Sequence, residues 1–262
     1  MDLVENSNLG SEQNRHPWEL SRYTIIKEKV RGIIQKNHHI QNTIIVDIGC
    51  GDAYVISRLS NELKELNSDS FFGVDINFTP EMISNYEISG GTVKLFQDIQ
   101  NIQVDPAKEY VILLNDVIEH VEFHNEFLRS ISQKFESSKG TSIFITVPAF
   151  ENLFSNHDVD LGHYRRYTCD DLQKYSEIAG MNIQASGYFF FSLFLARAIL
   201  KKFEGPVDRN RVGIGVSAWT GGFLKTKLMQ SVLLLDYFIL KPFNAIGIRI
   251  PGLSAFTIYS RK

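Results

Sequence analysis

Thr43-Ile44-Ile45-Val46-Asp47-Ile48-Gly49-Cys50-Gly51-Asp52 is the stretch that decides the fold. Its first six residues form a short, mostly apolar run, the pattern of a strand covered on both faces, and the run passes straight into a glycine loop. Behind the loop Ile56, Leu59, Leu63 and Leu66 recur at helical spacing. Strand, glycine loop and helix together open a nucleotide-binding α/β unit. Gly49 and Gly51 carry no Cβ, so the backbone there can turn tightly and approach a ligand closely. A dinucleotide fingerprint has a third glycine where this chain has Tyr54. The loop carries Asp47 and Asp52 instead, and two carboxylates suit a ligand with positive charge better than a pyrophosphate.

Outward from this unit the alternation continues. Phe71 to Ile76 reads as a strand, and Thr79-Pro80-Glu81 supplies an N-cap followed by proline at the first helical position. Val93 to Phe96 and Val111 to Leu114 are strands, Glu122 to Phe135 is an amphipathic helix, and Ile143 to Val147 is a fifth strand. Thr168 and Asp171 form a capping box for a helix that stops at Gly180. A strand over Asn182 to Phe189 and a last one over Ala255 to Ser260 complete the set. Upstream, Pro17 to Asn37 has apolar residues at helical spacing, behind a polar tail over 1–16 that reads as disordered. Such βαβ alternation predicts an α/β fold with a doubly wound parallel sheet.

In such a sheet, ligands bind beyond the carboxyl ends of the strands where the strand order reverses. Acidic residues stand at those ends in order: Asp47 after the first strand, Asp75 after the second in Gly73-Val74-Asp75-Ile76-Asn77, Asp98 after the third, and Asn115-Asp116-Val117-Ile118-Glu119-His120-Val121 after the fourth. Asp75 is placed to accept from the two hydroxyls of a ribose, and Asp98 from an adenine amine. With these residues assembled, the sequence resembles a class I S-adenosylmethionine-dependent methyltransferase of the bacterial kind associated with small molecules and glycans. The resemblance covers about residues 17–190 and the last strand. It implies a Rossmann-like seven-stranded sheet in the order 3-2-1-4-5-7-6, its last strand antiparallel, with S-adenosylmethionine as cofactor. It also implies that Asp47, Gly49, Gly51 and Asp52 hold the methionine part, Asp75 and Ile76 the ribose, Asp98 and Ile99 the adenine, and that Asn115 and Asp116 border the cofactor from the other side.

The 262 residues carry a net charge of only -3, and that total hides an asymmetry. From Met181 to Gly252 there are three acidic residues against nine Lys or Arg, and eight of the 19 Phe, so this stretch is basic and aromatic while the first 180 residues are acidic. An acidic body lacks the footprint for a phosphate backbone, and the fourth strand's end lacks the Pro-Pro-aromatic loop of exocyclic-amine enzymes, so no nucleic-acid partner is expected. Two cysteines, Cys50 and Cys169, suggest neither a disulfide framework nor a thiolate metal site. The N-terminus has no apolar core of a secretory signal, and a cytoplasmic protein is expected, working at the inner face of the membrane if the apolar stretch docks there.

Methyl transfer from a sulfonium requires alignment of the nucleophile and, for a hydroxyl, a base. His120 is the first candidate base. The second cluster is His157-Asp158-Val159-Asp160-Leu161-Gly162-His163-Tyr164-Arg165-Arg166-Tyr167, in which His157 or His163 is a candidate base and Arg165 or Arg166 a candidate clamp for an anionic acceptor, His163 and Arg165 ranking first. A metal site from His157, Asp158 and His163 is not diagnostic by spacing, and none is assigned. The stretch from Tyr188 to Lys202 is apolar with cations at its end, as in a helix lying in a membrane interface, with Arg209, Arg211, Lys225, Lys227, Lys241 and Arg249 to meet anionic headgroups. The competing reading is a helical lid whose cations face the acidic body. Residues 191–252 are thus expected to be a helical insertion in a core of 17–190 and 253–262, and the acceptor a small molecule, sugar or lipid-linked compound. The alternatives are a nicotinamide-dependent oxidoreductase and a catalytically silent binding scaffold.

Overall fold

A computed structural model describes residues 15–36, 40–210 and 219–261. Seven strands form one sheet: β1 (Thr43–Ile48), β2 (Phe71–Val74), β3 (Lys94–Phe96), β4 (Glu109–Asn115), β5 (Gly140–Pro148), β6 (Asn182–Phe189) and β7 (Ser254–Arg261). Their order is β3-β2-β1-β4-β5-β7-β6, and β7 pairs antiparallel with both neighbours. This is the order that the resemblance implied. All six residues of β1 are buried, as a central strand covered on both faces must be. Alternate side chains serve opposite faces: Ile45, Val111, Leu113 and Phe144 belong to one core, and Ile44, Val46, Ile112 and Ile143 to the other.

Eight helices flank the sheet among the described residues: α1 (Pro17–Ile34), α2 (Tyr54–Glu62), α3 (Pro80–Ile88), α4 (His124–Lys134), α5 (Asn156–Asp160), α6 (Cys169–Ala179), α7 (Phe191–Lys201) and α8 (Gly222–Ala245). The caps lie where the sequence places them. Thr79 accepts from the Met82 amide at 3.2 Å, Thr168 and Asp171 form their reciprocal box, and Gly180 ends α6 in the left-handed conformation. The expectation of a disordered tail through residue 16 fails at its described end. His16 caps α1 in a box with Glu19, and Arg15 is buried; residues 1–14 and Asn37 lie outside the described residues.

Two helices fill the interval between β6 and β7. Leu233, Tyr237 and Leu240 of α8, spaced along one face, are buried. Tyr237 donates to Glu28 of α1 at 3.1 Å, and Lys241 pairs with the same carboxylate at 2.9 Å. The interval closes at Gly252, where an added Cβ would lie 2.2 Å from the Phe189 carbonyl oxygen; only glycine lets the chain pass β6 so closely. No helix among the described residues is long and apolar enough to cross a membrane.

Candidate functional site

The strand ends of β1, β2 and β4 meet at one edge of the sheet, and the glycine loop lies between them. Gly49 and Gly51 adopt positive φ, 68° and 56°, and a Cβ on Gly49 would lie 2.7 Å from Val117. The Gly51 amide donates to Asp75 at 2.9 Å, while the other oxygen of Asp75 accepts from the Asn77 amide at 3.0 Å and from its side chain at 3.1 Å. The loop and the end of β2 are thereby fixed to each other around a carboxylate that is only 7% exposed. Asn115 donates to Asp47 at 3.4 Å. Burial is the main cause that raises the Asp47 carboxyl to about 7, opposed by Asn115 and Arg22.

Two of the acids are already neutralised, by residues that the sequence reading did not single out. Arg15, just before the cap of α1, pairs with Asp52 and lies over the Tyr54 ring; Arg22, within α1, pairs with Asp116. The signal was present as Arg15-x-x-x-Glu19-x-x-Arg22, charged residues at and just before the start of the helix preceding the glycine loop. Asp52 also accepts from the Tyr54 amide at 3.2 Å at the start of α2. Of the loop's acids this leaves Asp47 and Asp75 outside the ion pairs among the described residues. Asp98 is exposed and caps the short turn at Ile99–Asn101 through the Gln100 amide at 2.8 Å. Ile76 is 80% exposed, an apolar side chain standing open at the rim beside Asp75, and Ile99 is half-buried.

A second group lies after β4. His120 and His163 meet edge to face, ring centroids 4.6 Å apart, and Glu119 offers a carboxylate oxygen to the same spot. The Glu119 side chain is fully buried, and neither carboxylate oxygen has a hydrogen-bond partner. Burial raises its carboxyl to about 8, and burial together with His163 lowers His120 to about 4. The loop that carries His163 is stitched down on all sides: Tyr164 N donates to the Glu119 carbonyl at 2.8 Å, Tyr167 Oη to the Ile118 carbonyl at 3.0 Å, and His163 Nδ1 shares a proton with Asp158 at 3.0 Å. Asp158 is fully buried and gripped by Arg166 at 2.8 and 3.0 Å; His163 and Arg166 hold its carboxyl well below the usual range against the opposing effect of burial.

The predicted cluster is thus regrouped. His163 joins His120 and Glu119, whereas His157 is exposed and takes no part. Arg165 is placed elsewhere: its guanidinium engages His124 and the Glu122 carbonyl, so it ties α4 to the loop instead of standing open as an anion clamp. Arg166, which the sequence reading ranked behind it, is the arginine that holds the cluster's carboxylate.

A family model for a methyltransferase domain matches residues 22–201, from α1 through α7. The chain belongs to this methyltransferase family. S-adenosylmethionine is its cofactor, which sets aside the nicotinamide-dependent alternative, and the residues present fit that group: a buried carboxylate at the end of β2, a glycine loop and a second buried acid suited to a cationic ligand. Solved structures share the fold. A SAM-dependent methyltransferase from Archaeoglobus fulgidus is 17% identical over 91% of this chain and 94% of its own, with a TM-score of 0.48. Coclaurine N-methyltransferase bound to N-methylheliamine and SAH is 10% identical over 91% of this chain and 72% of its own, with a TM-score of 0.51. An S-adenosylmethionine-dependent methyltransferase from Mesorhizobium loti is 12% identical over 89% and 96%, with a TM-score of 0.48. No curated protein sequence matches the methyltransferase described here.

Proposed function

We propose that this methyltransferase modifies an oxygen or nitrogen of a lipid-linked acceptor, and that α7 and α8 rest on the membrane that presents it. The observation that carries this reading is the outer face of α8. Leu224, Leu228, Val232, Leu235, Ile239 and Ile246 follow one another at three-, four- and seven-residue steps and are 48% to 81% exposed, so an apolar ridge runs along the side of the helix turned away from α1. On α7 and its end, Leu195, Ile199 and Phe203 form a second ridge, 45% to 83% exposed. Scattered exposed apolar residues are ordinary on a protein surface, but contiguous ridges mark a contact surface.

Charge supports the same occupant. Three of the six cations expected to meet headgroups turn to the body instead: Arg209 pairs with Glu151, Lys241 with Glu28 and Arg249 with Asp170, as the lid reading anticipated. Arg211 lies outside the described residues. Lys202, Lys225 and Lys227 have no ion pair among the described residues and flank the ridges, and no acid occurs between Asp208 and Asp236. Cations beside an apolar face suit an anionic lipid surface. The helices therefore serve both readings, with the inner side of α8 packed on α1 and the outer sides of both helices left for lipid.

The cofactor supplies an electrophilic methyl group on a sulfonium. The chain's own contribution is to hold the ribose hydroxyls at Asp75, to place the buried Asp47 near the cationic methionine end, and to keep the acceptor beside the Glu119, His120 and His163 cluster, where a proton leaving a hydroxyl or ammonium acceptor can be received. Co-sedimentation with vesicles of phosphatidylglycerol and phosphatidylcholine tests the membrane part at low salt. Binding that falls with rising salt is expected; no binding at low salt overturns it. Calorimetry with S-adenosylmethionine tests the cofactor part separately.

A further inference from the structure

We infer that Glu119, His120 and His163 form a binding site for one divalent first-row transition-metal ion of the zinc class. Each residue offers one ligand atom, and these atoms all lie within 4.8 Å of one another. Two imidazoles and one carboxylate are the donor set of open zinc and related sites, in which the remaining positions are left to water or substrate. At metal–ligand distances of about 2.1 Å, neighbouring ligands of a tetrahedral ion stand about 3.4 Å apart, so the side chains need to draw in by little more than an ångström.

Three further features point to a cation rather than to an incidental cluster. Glu119 is fully buried with both oxygens unpartnered and is aimed at the two histidines. A buried carboxylate without a donor is costly, and a bound cation removes that cost. His163 is already oriented as a ligand: with Nδ1 engaged by Asp158, its Nε2 is the nitrogen left for an ion, and Asp158 is fixed by Arg166 and by Ser155 at 2.9 Å. A carboxylate behind a ligating histidine fixes its tautomer and ring orientation. Finally, the two rings meet edge to face with no hydrogen bond between them, so their approach has no polar pairing of its own.

The inference concerns binding and stands whether or not the acceptor is a lipid; while the ion is bound, these side chains act as its ligands and not as the acceptor of the proton. It is tested by titrating chelator-treated full-length protein with Zn2+ against a chromophoric chelator, and with Co2+ while the visible absorption is followed. One equivalent is expected to bind, with the intense visible bands of a four- or five-coordinate cobalt ion. Glu119→Gln, which keeps the side-chain size at the buried position, and His163→Gln are each expected to weaken Zn2+ binding at least tenfold. Asp158→Asn is expected to weaken it less, through the orientation of His163. Thermal melts and S-adenosylmethionine affinity of each variant show that the fold and cofactor site persist. Absence of stoichiometric Zn2+ and Co2+ binding by the wild-type protein overturns the inference, as does equal binding by the folded Glu119→Gln and His163→Gln variants.

Discussion

Around the end of β1 carboxylates are buried and aliphatic side chains are packed away, whereas along the outer faces of α7 and α8 aliphatic side chains stand in the open. Both arrangements run against the ordinary partition of residues, and each runs against it in the direction of a ligand. A buried Asp47 is costly until a cation arrives; an exposed Leu224 or Leu228 is costly until an apolar surface arrives. The cofactor is small and the proposed lipid surface extended, which is why the first shows itself in a stretch of ten residues and the second only along whole helices.

The seam between these regions is where a change is expected to be largest. Gly252→Ala places a methyl group 2.2 Å from the Phe189 carbonyl oxygen and 2.8 Å from its amide nitrogen, and neither backbone atom can move without disturbing the pairing of β6 with β7. A loss of roughly 3 kcal/mol or more in stability is expected by chemical denaturation. Gly205→Ala, in the interval between α7 and α8 with nothing within 4 Å of the added methyl, is expected to be neutral. Similar midpoints for the two variants would mean that the insertion is not held to the core at that seam.

Next in size is the cofactor end of the comparison. Asp75→Ala removes the acceptor for the ribose hydroxyls as well as the partner of the Gly51 and Asn77 amides. S-adenosylmethionine affinity is expected to fall by roughly 1.5–3 kcal/mol, read by calorimetry, and an unchanged affinity would remove Asp75 from the ribose site.

How much of this the sequence disclosed follows the range of the interactions involved. The strands were legible because their apolar runs are local, their order came only from the family resemblance, and the acids at their ends were found because each stands a fixed step beyond its strand. Arg15 and Arg22 were missed because their partners, Asp52 and Asp116, are 37 and 94 residues away. The regrouping of His163 from His157 to Glu119 and His120 has the same cause: it depends on a loop folding back across β4, where the Tyr164 amide meets the Glu119 carbonyl. Arg165 and Arg166 are adjacent in sequence and point to different partners, a choice that no spacing records. In the insertion, apolar composition fits both a packed lid and an interfacial helix, and the exposure of the Leu224 to Ile246 ridge is what the proposed membrane contact rests on.

Asp47 gives the comparison a pH dependence. Its carboxyl is raised by burial from 3.8 to about 7, so folding favours the neutral form: the stabilisation is fully present below about pH 4 and is lost as the pH rises through about 7. A cationic ligand favours the ionised form, and the cofactor therefore binds more tightly as the pH rises. From pH 8 down to pH 6, S-adenosylmethionine affinity is expected to weaken about tenfold, close to 1.4 kcal/mol. Calorimetry in buffers of different ionisation enthalpy should show a proton released at pH 6 and almost none at pH 8. Asp47→Asn is expected to flatten both the affinity profile and the corresponding part of the stability profile, and a profile unchanged by that substitution would assign the titration to another group.

The smallest effect is expected where the apolar surface is largest. Leu228 and Leu235 are 68% and 62% exposed on the side of α8 opposite Leu233, Tyr237 and Leu240, so replacing both with Ser removes little that folding had buried. The stability change is expected to lie within about 0.5 kcal/mol per site, with serine's lower helix propensity contributing part of it. On vesicles the same double substitution is expected to lower binding clearly, because each leucine contributes on the order of 1.5–3 kcal/mol when its side chain leaves water. A large loss of stability with unchanged vesicle binding would reverse the assignment, making α8 a lid whose outer face is packed against protein. The pairing of the two measurements matters because either alone is ambiguous: a destabilised helix also loses lipid, and a stable variant on its own says only that the ridge faces outward.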